Sequence, residues 1–267
     1  MGTLEGKVAL VSGSGRGIGR EIALKFAAEG ARVVVNDLDA APADETAADI
    51  KALGGDAVVC VGSVTAADFA ERFVTTAVDS LGGLDIIVNN AGYTWDNVIQ
   101  KLTDEQWDAI LDVHLKAPFR ILRAAQPYIR ANPTEYHRKV VNISSASGVL
   151  GNAGQANYAS AKAGLIGLTK TLAKEWGRYK VNVNAVAYGW ILTRMTEAVA
   201  DAGAFVEIEG RKIKAGVNAQ FAATAAAQIP LGRPGTPQEA AGAVYALCLP
   251  ETDYVSGQCL SVNGGKG

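Results

Sequence analysis

Val8-Ala9-Leu10-Val11-Ser12-Gly13-Ser14-Gly15-Arg16-Gly17-Ile18-Gly19 holds the key to the fold. A short apolar run ends in a glycine-rich turn, and the turn opens an amphipathic segment over 18–29. Glycine tolerates positive φ and lets the backbone approach a ligand closely. A helix N-terminus presents unpaired N–H groups and a positive dipole end, which suits a pyrophosphate. The glycines stand as Gly13-x-x-x-Gly17-x-Gly19. In the Gly-x-Gly-x-x-Gly register counted from Gly13 and Gly15, the last place is Ile18. The turn alone reads equally well as a plain loop. Its place between strand and helix points to a nucleotide.

The same rhythm continues along the chain. Apolar, largely β-branched runs recur at 32–36, 57–61, 84–89, 139–144, 181–186 and 259–262. Such nearly continuous runs suit strands buried on both faces of a parallel sheet. Helical patterns fill the gaps at 43–53, 66–81, 104–131, 158–176 and 237–249. Repeated strand–helix units imply an α/β fold: one doubly wound parallel sheet of about seven strands, helices on both faces, right-handed crossovers. No linker, charge block or internal repeat divides residues 1–267, so one Rossmann-like domain is expected. Segment 193–230 breaks the rhythm. It is Ala-rich and long for a connection, and it reads as a helical substrate lid, with Glu207, Glu209, Arg211, Lys212 and Lys214 on a solvated helix face. Those charges could instead meet an anionic carrier or a CoA phosphate.

Composition narrows the function classes. The 49% hydrophobic fraction, against 19% charged residues, supports a sizeable core. A net charge of −2 gives no basic footprint for nucleic acid. No apolar run approaches the ~20 residues that span a bilayer, and the N-terminus carries no signal-peptide pattern. Cys60, Cys248 and Cys259 are widely spaced among apolar residues and read as reduced, buried thiols. A cytoplasmic protein with no metal is expected.

Two further features carry chemistry. Asp37 follows the second strand, where a carboxylate can accept hydrogen bonds from a ribose 2′-OH and repel a 2′-phosphate. Arg16 pulls the other way, since a guanidinium can pair with that phosphate. The balance favours NAD(H), with NADP(H) as the alternative. Tyr158 and Lys162 lie four apart, on one face of a helix, with Ser145 upstream. A phenol with a pKa of about 10 is a poor base at neutral pH. A fixed cation beside it favours the phenolate, and bringing it near working pH requires about 4 kcal/mol.

Gly13-x-x-x-Gly17-x-Gly19, Asn89-Asn90-Ala91-Gly92, Ser145, Tyr158-x-x-x-Lys162 and the C-terminal Gly257-Gln258 and Val262-Asn263-Gly264-Gly265 occur together in one order. In these motifs the chain resembles the short-chain dehydrogenase/reductase family from end to end. Gly151-Asn152-Ala153-Gly154-Gln155-Ala156-Asn157-Tyr158 is most similar to 3-oxoacyl-acyl-carrier-protein reductases. Ser144-Ser145-Ala146-Ser147-Gly148 and Val113-His114-Leu115 resemble the 3-hydroxyacyl-CoA dehydrogenase part of multifunctional enzymes.

The resemblance implies a hydride transfer between a nicotinamide and a ketone/secondary-alcohol pair, with a 3-oxoacyl thioester on acyl carrier protein or CoA as the best-matched substrate. A hydroxysteroid, sugar or other secondary alcohol is the alternative, and a non-catalytic redox sensor is the alternative of another class. Tyr158 would pass the proton, Lys162 would lower its pKa and hold the ribose, and Ser145 would bond the substrate oxygen. Gly13, Gly15, Arg16, Gly17, Ile18, Gly19, Asp37, Ser63, Val64, Asn89, Ala91, Gly92, Tyr188, Gly189, Ile191 and Thr193 would bind the cofactor. The resemblance also implies a homotetramer built on the helices at 104–131 and 158–176, with a dimer as the alternative.

Three positions depart from the family pattern. His114 stands where an Asn linked to a water relay is usual; it reads as a relay through its two nitrogens or as a neutral core histidine. Tyr188 replaces a Pro beside the nicotinamide segment. Ser63 replaces an Asp that meets the adenine. Trp107 and Trp176 read as packing residues. Trp95 and Trp190 read as either packing or substrate-pocket residues.

Overall fold

The structure is a computed structural model and describes residues 2–194, 196, 198, 199, 205–214 and 216–266. Strands β1 (Val8–Val11), β2 (Arg32–Val35), β3 (Ala57–Val59), β4 (Ile86–Asn89), β5 (Arg138–Ser145) and β6 (Val181–Tyr188) alternate with helices. The helices are α1 (Gly17–Ala28), α2 (Ala40–Ala52), α3 (Phe69–Leu81), α4 (Asp104–Leu111), α5 (Ala117–Ala131), α6 (Ala146–Leu150) and α7 (Ala156–Trp176). The expected 104–131 helix is interrupted by a π-helical turn, Asp112–Lys116, that carries His114. Thr103 starts α4 with a reciprocal capping box to Gln106.

A lid follows β6. It holds β7 (Ala198–Val199), β8 (Phe205–Ile208), β9 (Arg211–Lys214), β10 (Val217–Asn218) and α8 (Ala219–Ala227). Then α9 (Pro237–Ala246) and β11 (Cys259–Val262) close the fold. The sheet has seven strands in the order β11-β6-β5-β4-β1-β2-β3, all pairs parallel. The doubly wound fold expected from the alternating runs is therefore present.

Period two along the strands divides the core. Val8 and Leu10 face one apolar cluster with Phe69, Phe73, Ile121 and Trp176. Ala9 and Val11 face a second with Ile22, Phe26, Ile50 and Val244. Phe26, Phe69 and Phe73 are wholly buried, each worth about 1.5–3 kcal/mol of transfer from water. Trp176 is a core residue, as expected, whereas Trp107 is half-exposed. Cys60 and Cys248 are buried, but Cys259, on the edge strand, is only partly so.

The helical reading of 193–230 needs correction. Glu207, Glu209, Arg211, Lys212 and Lys214 lie on a β-hairpin, not a helix face; α8 is the segment's helical part among the described residues. Strands β8 and β9 pair antiparallel, with Val206 opposite Ile213 and Glu207 opposite Lys212. The physical reason is local. Apolar residues alternate at 206, 208 and 213, and Glu209 and Gly210 both take positive φ, 52° and 76°, in a tight two-residue turn. Ile213 is buried and Val206 and Ile208 pack on the first core cluster, so the hairpin is docked on the body.

Candidate active site

Strand order reverses between β1 and β4, and the loops leaving their C-terminal ends separate there. A crevice of about 560 Å³ runs along those ends. Its floor starts at the glycine turn. Gly13 has φ 64°, and a Cβ there would come within 2.7 Å of Ala91 Cα. A Cβ on Gly19 would lie 2.1 Å from Gly13 O, so α1 can start only with glycine at that place. Ser12 Oγ accepts from the Asn90 and Ala91 amides, which ties the second loop to the first.

The first turn of α1 has no side-chain cap and no acidic residue. Gly17 lines the crevice with φ 55°, and a Cβ there would meet only Thr193 Cγ2, at 3.9 Å. Unpaired N–H groups thus face open space of the right kind for a pyrophosphate. The residues present fit a dinucleotide. Arg16, Gly17, Ile18 and Gly19 all stand on this wall; Gly15 does not, but its missing Cβ makes room for Asp37, whose Oδ2 would lie 2.6 Å from that atom.

Beyond β2, Asp37 and Asp39 both reach the crevice. Arg16 Nη1 lies 3.0 Å from Asp39 Oδ2 and 3.5 Å from Asp37 Oδ1. The guanidinium is therefore engaged by two carboxylates. Asn36 joins three strand ends: its Oδ1 accepts from Gly13 N at 3.0 Å and its Nδ2 donates to Cys60 O at 2.9 Å. Ser63 and Val64, after β3, form the far wall.

The opposite end gathers Ser145, Tyr158, Lys162 and His114. Ser145 ends β5 and caps α6, its Oγ accepting from Ser147 N at 3.2 Å. Strand β5 and α7 are clamped together. Ser144 Oγ donates to Lys162 O at 3.0 Å, and Lys162 Nζ donates to Ile143 O at 2.6 Å. The ammonium lies 5.5 Å from the centre of the Tyr158 ring. Burial dominates both groups. It pushes the Tyr158 phenol up to about 12, against a hydrogen bond with Ser145 that acts downward. It pushes Lys162 down to about 7. The expected lowering of Tyr158 by Lys162 does not appear: desolvation sets the direction, and the downward influence comes from Ser145.

His114 is buried, and loss of solvent, with Lys162 nearby, holds its pKa well below 6.5. Its Nε2 lies 2.7 Å from Tyr93 O, so Nε2 carries the proton and donates. Nδ1 has no hydrogen-bond partner among the described residues. The ring meets Tyr158 edge-on at 5.0 Å between centres. Gly92 is needed for this: a Cβ there would lie 2.0 Å from His114 Cε1.

A stability test follows from Lys162. Its folded pKa, about 7, lies below its unfolded value, so the unfolded chain binds more protons between roughly pH 7 and 10.5 and stability climbs with pH across that window. The cost is fully present below pH 7, on the order of 4 kcal/mol. Lys162→Met removes it but leaves Ile143 O unpaired, at about 2 kcal/mol. The variant is expected to be more stable by ~2 kcal/mol at pH 7 in urea unfolding, an advantage that reverses as pH approaches 10.5. A variant less stable at pH 7 would contradict the burial cost.

Asn89, like Gly15, is off the crevice wall, and Tyr188 is on it with its hydroxyl engaged elsewhere. Asn89 is not on the crevice wall; its Nδ2 donates to Asn142 Oδ1 at 2.8 Å inside the sheet. Asn142 continues to Thr169 Oγ1 at 2.9 Å, so Asn89 braces β4, β5 and α7, the helix of Tyr158 and Lys162. Tyr188 touches the crevice, but its hydroxyl is buried and donates to Ala240 O at 2.7 Å, anchoring β6 to α9. Gly189, Ile191 and Thr193 follow along the wall. Trp95 and Trp190 are not wall residues; Trp95 packs beneath Arg211, and Trp190 O accepts from Gly235 N. Asn36, Asp39, Thr94 and Thr196 line the crevice without having been singled out from sequence. Asp39, two residues past Asp37, was the legible one. Thr196 pins its segment by donating to Ile191 O at 2.5 Å, a contact no motif announces.

Comparison with known proteins adds an independent line. A family model described as "Enoyl-(Acyl carrier protein) reductase" matches residues 13–266. The chain is 38% identical over 262 residues to the 3-oxoacyl-[acyl-carrier-protein] reductase FabG of Thermotoga maritima, covering 98% of each protein. It is 40% identical to that of Vibrio cholerae, again over 98% of each. Among solved structures, a dehydrogenase/reductase from Sinorhizobium meliloti superposes with a TM-score of 0.85 at 31% identity, covering 99% of this chain and 96% of that one. A mutant short-chain dehydrogenase/reductase from Serratia marcescens gives 0.85 at 29% identity, over 99% of both.

Proposed function

Because the chain belongs to the short-chain dehydrogenase/reductase family, we propose that it reduces the ketone of a 3-oxoacyl thioester, carried on acyl carrier protein or CoA, to the 3-hydroxyacyl form. One observation carries the chemistry: Ser145, Tyr158 and Lys162 stand together at one end of a crevice whose other end fits a dinucleotide. The substrate class rests on the activity for which the 38–40% identical relatives are named. The description of the family model names an enoyl reductase. Two hydroxyl-bearing residues, Ser145 and Tyr158, on one crevice suit a carbonyl oxygen better than a carbon–carbon double bond.

A bound nicotinamide dinucleotide supplies the hydride to the carbonyl carbon. Tyr158 is protonated at neutral pH and donates its phenolic proton to the carbonyl oxygen. Ser145 donates a hydrogen bond to the same oxygen as charge develops. Lys162, in its protonated fraction, favours the phenolate left behind. His114 packs edge-on against Tyr158 and fixes the ring's place, with Nδ1 free to accept in a proton relay. The test is a panel of 3-oxoacyl, enoyl and simple ketone substrates with NADH and NADPH. Turnover of 3-oxoacyl thioesters ahead of the others supports the reading; preference for enoyl thioesters or unrelated ketones contradicts it.

The cofactor is a nicotinamide dinucleotide, and the NAD(H) form is the one proposed. Asp37 and Asp39 set two carboxylates against the single cation of Arg16 where the adenosine ribose would lie. Asp37→Ala is expected to shift the NADH:NADPH ratio of kcat/KM at least tenfold toward NADPH, about 1.4 kcal/mol. An unchanged ratio would remove Asp37 from the assignment. The protein is further proposed to act in the cytoplasm as a homotetramer. Among the described residues no helix is long and apolar enough to cross a membrane. Leu111, Leu115, Phe119 and Leu168 form an apolar groove between α4, α5 and α7 that a second copy would cover.

A further inference from the structure

The β8–β9 hairpin does more than cover the crevice. Its turn residue, Glu209, reaches the crevice wall together with Val206, Glu207 and Ile208. The Glu209 Oε1 atom accepts a hydrogen bond from Ser63 Oγ and lies 3.3 Å from Thr65 Oγ1. Its Oε2 accepts from Arg211 Nη1 at 3.2 Å. Arg211 is itself fixed, 3.1 Å from Glu105 Oε1 and above the Trp95 ring. The receiving loop is fixed as well, since Arg120 Nη1 donates to Thr65 O at 3.0 Å. The carboxylate is therefore oriented from both sides. It has about four lone-pair directions, of which these partners take at most three.

Topology says what lies next to it. With pyrophosphate at the α1 N-terminus, at the end of β1, and the ribose at Asp37, at the end of β2, the base falls at the end of β3, where Ser63 stands. Ser63 offers a hydroxyl and no charge. We propose that Glu209, delivered by the hairpin, recognises the exocyclic amine of the adenine by accepting its hydrogen bond. The proposal rests on the dinucleotide reading above. Adenine specificity then belongs to the lid: the residue that reads the base is also the one that fastens the hairpin to Ser63.

The experiment measures dissociation constants of NADH and of reduced nicotinamide hypoxanthine dinucleotide, in which a carbonyl replaces the amine, by titration calorimetry. The full-length protein is expected to bind NADH at least tenfold tighter, as a hydrogen bond to a charged acceptor gives. Glu209→Ala and Glu209→Asn are expected to bring the two within about threefold, below the range of such a bond. The Asn variant suits the left-handed turn next to Gly210, so it keeps the hairpin while withdrawing the carboxylate. Loosening of the hairpin alone would weaken both ligands together and leave their ratio intact. An unchanged ratio in the variants, or no discrimination by the unmodified protein, overturns the proposal while the dinucleotide reading stands. Absence of NADH binding altogether overturns both.

Discussion

Tyr158→Phe is expected to lower kcat for ketone reduction by about a thousandfold, within the ~10²–10⁴ that a positioned general acid contributes. The substitution removes one oxygen and keeps the ring that packs against His114. The dinucleotide dissociation constant should therefore hold, and so should the fold. The phenol rests protonated because burial raises it to about 12. That suits donation to a carbonyl oxygen at neutral pH. It suits proton removal from an alcohol less well, so oxidation by the unmodified protein is expected to gain with rising pH where reduction does not. Stopped-flow measurement of a single turnover separates the proton-coupled step from product release. A variant retaining full single-turnover rate would remove Tyr158 from the chemistry.

Gly19→Ala is expected to have the second-largest effect, and through packing instead of chemistry. The added Cβ would lie 2.1 Å from Gly13 O and 2.5 Å from Asn90 Nδ2. Both neighbours are held: Asn90 Nδ2 donates to Ser12 O and Gly13 O, each at 3.0 Å. The start of α1 must move away from the glycine turn, and the amides facing the crevice move with it. Overpacking of this kind costs about 1–3 kcal/mol of stability. Losing the aligned N-terminus should weaken dinucleotide binding by ~10²-fold, as two displaced hydrogen bonds to charged oxygens would. Urea unfolding and NADH titration on the same sample read both. Wild-type affinity with wild-type stability would mean the turn tolerates a side chain, and its role as the pyrophosphate cradle would fall.

Much of this architecture is legible in the chain because the central strands are buried on both faces. Val8–Val11, Ile86–Asn89 and Val181–Tyr188 show no exposed position, and their apolar runs announce it. The site is legible where spacing alone fixes geometry. Tyr158 and Lys162, four apart, share a helix face whatever surrounds them. Spacing says nothing of solvent, and desolvation is what sets both groups' charge states. Nor does it say which way a strand-end side chain turns. Asn89 turns into the sheet and Tyr188 toward α9, although both sit beside the crevice in sequence. The hairpin was hidden for another reason. Its two short strands lie in an Ala-rich segment whose composition favours helix, and only the 206, 208 and 213 alternation with a Glu-Gly turn signals otherwise. The contact between Glu209 and Ser63 spans so much sequence that only the folded chain brings it into view.

The proposed function requires a single crevice that holds a dinucleotide at one end and delivers a proton from Tyr158 at the other. The most direct measurement is NADH binding and 3-oxoacyl thioester turnover in the unmodified protein and Tyr158→Phe side by side. The expected result is equal NADH affinity in the two, with turnover about a thousandfold lower in Tyr158→Phe. Undiminished turnover in Tyr158→Phe, or failure of the unmodified protein to bind NADH and NADPH, would contradict it.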